Sequence, residues 1–197
     1  ALPILIETLK SAVIAARENS DFSHKMTHSW LFTGPPGSGR STAAKTFAAA
    51  LVCSNNGCGE CIDCLTAMDG SHLDIDILKT ETSSIKVDEI REVISRTSTS
   101  PSISSWRLVI IQDAQRLTEA AANALLKVIE EPSTRTIWIM TASTSLDLLA
   151  TLRSRCRQIQ LKTPDKDSII DLLVKRDKVD MQVAEFAARV SQGDIGR

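Results

Sequence analysis

Eight residues constrain this chain more than anything else in it: Gly34-Pro35-Pro36-Gly37-Ser38-Gly39-Arg40-Ser41. They follow a short apolar run, Trp30 to Thr33, and precede an alanine-rich stretch of helical periodicity from Ser41 to Val52. The run reads as a buried strand that stops at a Gly-Pro turn, so the segment is a strand–loop–helix unit. It fits the phosphate-loop pattern G-x-x-x-x-G-K-[ST] at every fixed position but the lysine. In such a loop Gly34, Gly37 and Gly39 let the backbone turn tightly and aim its N–H groups at phosphate oxygens, and the helix start adds partial positive charge. Ser41, followed by Thr42, offers a hydroxyl to Mg²⁺. Arg40 stands where the lysine belongs. It keeps the charge, but a planar, bidentate guanidinium is a poor substitute for a compact ammonium at a tight site. The plainer alternative is a glycine-rich turn that holds no ligand.

The remainder of the first 162 residues alternates strands with helices. Leu2 to Ala16 recurs at helical spacing, and Glu18 to Thr27 reads as a loop. Strands are expected at 73–78, 108–111, 136–141 and 158–161, and helices at 87–94, 118–130 and 146–152, with a Ser/Thr-rich loop from Ser95 to Ser105. Thr118 can cap the second of these helices, and Pro132 lies just past its end. This alternation predicts an α/β fold, a five-stranded parallel sheet with helices on both faces. The pattern turns wholly helical after Pro164, so we expect a boundary there, with residues 1–162 forming one domain and 163–197 a small helical one.

The strand that ends near residue 111 bears on catalysis. A phosphate-loop ATPase needs an Asp at the end of such a strand to hold Mg²⁺, and in one branch a Glu follows it to polarise water. Here the run Leu108-Val109-Ile110-Ile111 ends in Gln112-Asp113: a neutral amide, then a carboxylate one methylene short. Arg40, Gln112 and Asp113 are three departures within one mechanism, and together they predict lost hydrolysis. Ser143, after the fourth strand, can reach a γ-phosphate or a water, or can be a polar strand end and nothing more.

Four of the five cysteines form the window Cys53-x4-Cys58-x2-Cys61-x2-Cys64. With no secretory signal in the chain, clustered cysteines read as a metal site before they read as disulfides. Four thiolates close a tetrahedral zinc site with no open position, which marks structural zinc in a module of about residues 53–64. Cys156 reads as a small buried hydrophobe, and His24, His28 and His72 fall outside the ligand spacing.

The order of phosphate loop, cysteine cluster, altered Mg²⁺ strand, Leu117-Thr118-Glu119-Ala120-Ala121-Ala122-Asn123-Ala124-Leu125-Leu126-Lys127, Glu130-Glu131-Pro132 and Ser154-Arg155-Cys156 resembles the bacterial clamp-loader subunits of the AAA+ class. Within that class it looks most like the delta-prime family of DNA polymerase III. The gamma/tau kind shares the cysteines and the Ser-Arg-Cys motif but keeps the lysine and an Asp-Glu pair. The resemblance implies an AAA+ three-layer αβα sandwich with an inserted zinc module and a helical lid. It implies a stator that works with gamma/tau and delta subunits to load a sliding clamp on primed DNA. It also implies that Arg155 is an arginine finger given in trans; the alternative is that Arg155 makes a structural ion pair. Arg153 and Arg157 beside it read as solvated or partner-facing charges. Arg197 falls where the class has a second sensor facing the nucleotide. The resemblance further implies a collar domain with no counterpart here, so the chain reads as the first two domains of a longer one.

A formal net charge of −1, with 43% hydrophobic residues, rules out global disorder and gives no electrostatic reason for strong DNA binding by this chain alone. The absence of a spanning apolar run or signal peptide points to a cytoplasmic chain without membrane contact. Two other readings stay open. One is a gamma/tau-type ATPase motor using Arg40 and Asp113. The other is a zinc-dependent nucleic-acid-binding module, against which count the neutral charge and the lack of any tyrosine. Whether ATP with Mg²⁺ binds without being hydrolysed is also open, since Arg40 keeps a cation in the loop.

Overall fold

The runs richest in apolar residues become the middle of a sheet. In the computed structural model, which describes residues 2–17, 27–97, 99–175 and 177–191, strands β1 (Ser29–Thr33), β2 (Ile75–Leu78), β3 (Arg107–Ile111), β4 (Thr136–Ala142) and β5 (Arg157–Gln160) pair entirely in parallel. Their order across the sheet is β2-β3-β4-β1-β5. All residues of β1 and β4 are buried, because helices cover both faces.

Alternation along each strand sorts the core into two layers. Trp30, Phe32, Leu108, Ile110, Ile137 and Ile139 face one side, with α1 (Leu2–Arg17) and α2 (Arg40–Val52). Leu31, Val109, Ile111, Trp138 and Met140 face the other, with α4 (Val87–Thr97) and α5 (Glu119–Glu130). The predicted three-layer α/β sandwich is therefore present. Thr118 caps α5 as expected, its hydroxyl accepting from the Ala121 N–H at 3.3 Å. After β5, α7 (Lys166–Lys175) and α8 (Met181–Val190) pack on each other.

Three segments differ from expectation. A helix, α3 (Ile62–Asp69), continues the cysteine window; Cys61 caps its start and Gly70, at φ 94°, ends it. Helix α4 runs three residues into the predicted Ser/Thr-rich loop. There Ser95 and Thr97 turn their hydroxyls back onto the carbonyls of Glu92 and Ile94, and Arg96 pairs with Glu92 one turn earlier. The segment 146–152 is not one helix but a 3₁₀ turn (Ser145–Asp147) followed by the short α6 (Ala150–Arg153). Thr144 and Asp147 close a capping box at the start of that turn, and Leu148 (φ −99°, ψ 154°) and Leu149 (ψ 134°) leave helical geometry, which breaks it from α6.

Candidate functional site

In a parallel sheet every strand ends on the same edge, and the loops there build the site. Because β4 lies between β1 and β3, the phosphate loop, Ser143 and Asp113 fall side by side on that edge. The loop is fastened to its neighbours: the Gly34 N–H donates to the carbonyls of Ala142 (3.3 Å) and Ser143 (3.2 Å). A Cβ on Gly34 would collide with the Ser38 side chain and press on the Leu161 carbonyl at 3.0 Å, so only glycine fits. Gly39, at φ 78°, turns the chain into α2 with no side-chain cap. The first N–H groups of that helix, on Arg40, Ser41 and Thr42, therefore have no partner within it.

Beside this loop lies a pocket of about 870 Å³, a volume suited to a small-molecule ligand. Leu9, Val13, Phe47 and Leu172 give it apolar walls, and Gly37, Gly39, Arg40, Ser41 and Thr42 line its polar end. Of the predicted loop residues, Gly37, Gly39, Arg40, Ser41 and Thr42 thus share one cavity, whereas Gly34 does not line it. Ser143 meets the loop through its backbone carbonyl. Arg197 lies outside the described residues.

Arg40 does not point freely into that cavity. Its Nη1 donates to the Gly34 carbonyl at 2.8 Å and its Nη2 to Asp113 Oδ1 at 2.9 Å. The Arg40 side chain is 14% exposed and that of Asp113 34%. Asp113 itself sits in the left-handed region (φ 54°, ψ 53°), and its N–H donates to Thr141 Oγ1 at 3.1 Å. Burial alone would raise its pKa. The hydrogen bond and charge of Arg40, helped by Gln115, hold it below the usual carboxylate range instead. The carboxylate is ionised, but it is occupied by the one cation of the loop, an arrangement ill suited to activating water.

The cysteine window closes as its spacing predicts. The sulfurs of Cys53, Cys58, Cys61 and Cys64 all lie within 4.8 Å of one another. The Cys53–Cys58 and Cys53–Cys61 separations are 3.8 and 3.6 Å. Four thiolates about 2.3 Å from a tetrahedral zinc stand about 3.8 Å apart, so the donor set fits such an ion. The N–H groups of Asn55, Cys61 and Cys64 donate to sulfurs, as thiolates require. Burial opposes ionisation of Cys53, yet N–H bonds from Cys58, Asn55 and Gly57 bring it down to about 6, while burial pushes Cys64 up to about 12. Without a cation the four cannot all be thiolates. These residues can hold one metal ion. Of the histidines, His28 shares a hydrogen bond with the Thr136 carbonyl at 3.1 Å, and His72 is buried, accepting from the Asp74 N–H at 3.0 Å; His24 lies outside the described residues.

Arg155 lies in the turn between α6 and β5, at the start of a strand and hence on the edge opposite the phosphate loop. Its Nη2 pairs with Glu130 at 2.6 Å and its Nη1 donates to the Thr151 carbonyl at 2.9 Å. The flanking arginines have partners inside the fold rather than standing in solvent. Arg153 donates to the Ser145 carbonyl at 3.4 Å, and Arg157 lies over the Trp30 ring, 5.1 Å from its centroid. Cys156 is buried against the Leu152 carbonyl, as expected, and burial raises its thiol to about 11.

Two features escaped the sequence. Buried Asp74 accepts from the N–H groups of Ser102, Ile103 and Ser104 at 2.6, 2.9 and 2.7 Å. The other is the partner of Arg155: the ion pair given above as its alternative is formed, with Glu130, from a motif that the sequence offers only separately.

Comparison with known proteins agrees with this geometry. The family model described as "DNA polymerase III, delta subunit" matches residues 10–165. DNA polymerase III subunit tau of Bacillus subtilis is 33% identical over 178 residues, 88% of this chain and 31% of that protein. Subunit delta' of Escherichia coli is 32% identical over 175 residues, 86% of this chain and 52% of that protein, and subunit delta' of Pseudomonas aeruginosa is 31% identical over 154, or 75% and 47%. The chain thus spans about half, or less, of these relatives. Among solved structures, a gamma subunit-related protein of Thermotoga maritima superposes with a TM-score of 0.60 at 21% identity, covering 94% of this chain and 58% of that one. The RuvB Holliday junction branch migration motor of the same organism gives 0.59 at 20%, covering 99% and 58%. At such identities the likeness concerns the fold alone, the AAA+ sandwich of a phosphate-loop protein. With the matched residues taking in the loop, the cysteine cluster and the Ser-Arg-Cys turn, the chain belongs to the DNA polymerase III delta-subunit family, among the clamp-loader subunits that also include gamma and tau.

Proposed function

We propose that this chain acts as a delta-prime-type stator of the clamp loader. It does not hydrolyse ATP itself but completes the active site of a neighbouring gamma/tau subunit with Arg155. The observation that carries this reading is the position of Arg155, half-exposed on the sheet edge away from its own phosphate loop. It cannot serve its own loop, and a guanidinium offered at a subunit surface suits the γ-phosphate of the next chain, where it would stabilise charge developing on the transferring phosphoryl group. The Arg40–Asp113 pair supports the other half, since it engages both groups that a hydrolytic site would keep free. Nucleotide binding at the pocket is not part of this reading.

In the same reading Cys53, Cys58, Cys61 and Cys64 hold structural zinc, which would tie the end of α2 to the start of α3 and take no part in chemistry. Residues 1–162 form the AAA+ domain and 163–197 the lid. The partners are gamma/tau and delta subunits, with sliding clamp and primed DNA reached through the assembly. Among the described residues no helix is long and apolar enough to cross a membrane, and a replication subunit of this kind works in the cytoplasm. The test is a loader reconstituted from whole subunits. Arg155→Ala is expected to slow hydrolysis at the adjoining site by about 10³-fold or more, the scale of other arginine fingers. An unchanged rate overturns the assignment.

A further inference from the structure

We propose that Glu130 is a latch on Arg155: it holds the guanidinium in the free subunit and gives it up to the phosphates of the neighbouring chain on assembly. The inference rests on the reading of Arg155 as a finger given in trans. Glu130 is the last residue of α5, and Arg155 follows α6, so two motifs 25 positions apart meet on one edge of the sheet.

Arg155 is pinned from two sides. Thr151, one turn earlier, offers its carbonyl to Nη1, and Glu130 takes Nη2. The end of α5 also carries the partial negative charge of its last carbonyls, which favours a cation there. The flanking arginines are committed elsewhere, Arg153 to the Ser145 carbonyl and Arg157 to the face of Trp30. Arg155 is paired with an exposed carboxylate.

That partner is easy to leave. The two side chains are 41% and 48% exposed, and a pair so open to water is worth at most about fivefold in an equilibrium. A triphosphate carries more charge than a carboxylate and accepts two parallel N–H bonds, so it wins the exchange. A carboxylate remaining beside the transferring phosphoryl group would oppose the charge the finger serves. The pair therefore has to open for the finger to act. Glu130 is thus a positioning residue that competes with the neighbour's ATP.

The experiment uses whole subunits. The subunit is titrated into an assembly lacking it, and the neighbour's ATP hydrolysis is followed. Glu130→Gln is expected to lower the half-maximal concentration two- to fivefold and leave the maximal rate unchanged. Binding in a non-hydrolysable ATP analogue should tighten equally, and the gain should vanish in an Arg155→Ala background. Glu131→Gln, which removes the same charge one residue away, should change neither quantity. An unchanged or raised half-maximal concentration, a lowered maximal rate, or an equal gain from Glu131→Gln overturns the latch. Arg155→Ala leaving the maximal rate unaltered overturns the finger itself, a separate result from the first three.

Discussion

Asp74 shows how much one buried carboxylate can organise. Its side chain is fully buried, accepts three consecutive N–H groups from the Ser102–Ser104 loop and faces Arg107 Nη1 at 3.5 Å. Burial alone would raise its pKa, but these donors bring it down to about 2. A carboxyl whose folded pKa is depressed contributes stability above its unfolded value, near 4, and loses it as pH falls toward the folded one. The contribution is about 2 kcal/mol, expected to disappear between about pH 5 and pH 2. Asp74→Ala should cost roughly 3 kcal/mol at pH 7, since it strips three N–H groups of their acceptor; Arg107 keeps Asp76 at 3.6 Å. Denaturant titrations of both proteins across this pH range provide the check: the difference between them should shrink as pH falls. A constant gap would mean that packing, not charge, holds the loop.

At the level of elements, the cysteine module joins three helices. Helix α2 runs from the phosphate loop to Cys53, α3 begins at its cap Cys61, and Arg17 at the end of α1 donates to the carbonyls of Cys53 and Ser54. Removing zinc with a chelator, or one ligand by Cys61→Ala, should loosen this corner. The two hydrophobic layers of the sheet would survive, because they close without the sulfurs. The expected result is one zinc per chain by elemental analysis and a fall in Tm of roughly 5–10 °C on its loss. A chain that purifies without metal and melts unchanged would refute the site. This corner also marks the limit of what the residues reveal on their own. Strands β1 and β3 are legible because burial on both faces makes them continuously apolar, and α5 because its cap and apolar spacing agree. Helix α3 is only eight residues long, and its cap Cys61 and third residue Cys64 are cysteines, so the metal pattern hides the helical one. The fastening of the loop by Asp74 spans about 30 residues and leaves no periodic trace, and neither does the order of the strands.

Across the whole molecule, the two edges of one parallel sheet keep the phosphate loop and Arg155 apart. The edge after β1, β3 and β4 carries the phosphate loop, with Arg40 and Asp113 paired to each other. The edge before β5 carries Arg155. Because all strands run the same way, no loop movement short of unfolding brings Arg155 to its own loop. Restoring the near edge should therefore not make a self-sufficient enzyme. The variant Arg40→Lys, Gln112→Asp, Asp113→Glu frees the loop cation, supplies a carboxylate for Mg²⁺ and lengthens the residue that faces water. It is expected to bind a fluorescent ATP analogue in a Mg²⁺-dependent way, with the base against Leu9, Val13 and Phe47. Yet as an isolated chain it should turn over about 10³–10⁵-fold more slowly than a site completed by another subunit's arginine. Adding Arg155→Ala to this variant should leave that slow rate as it is, because Arg155 lies on the sheet edge opposite the phosphate loop. Fast turnover by the isolated variant, abolished by Arg155→Ala, would require the finger to act in cis, and the opposed-edge geometry would then be wrong.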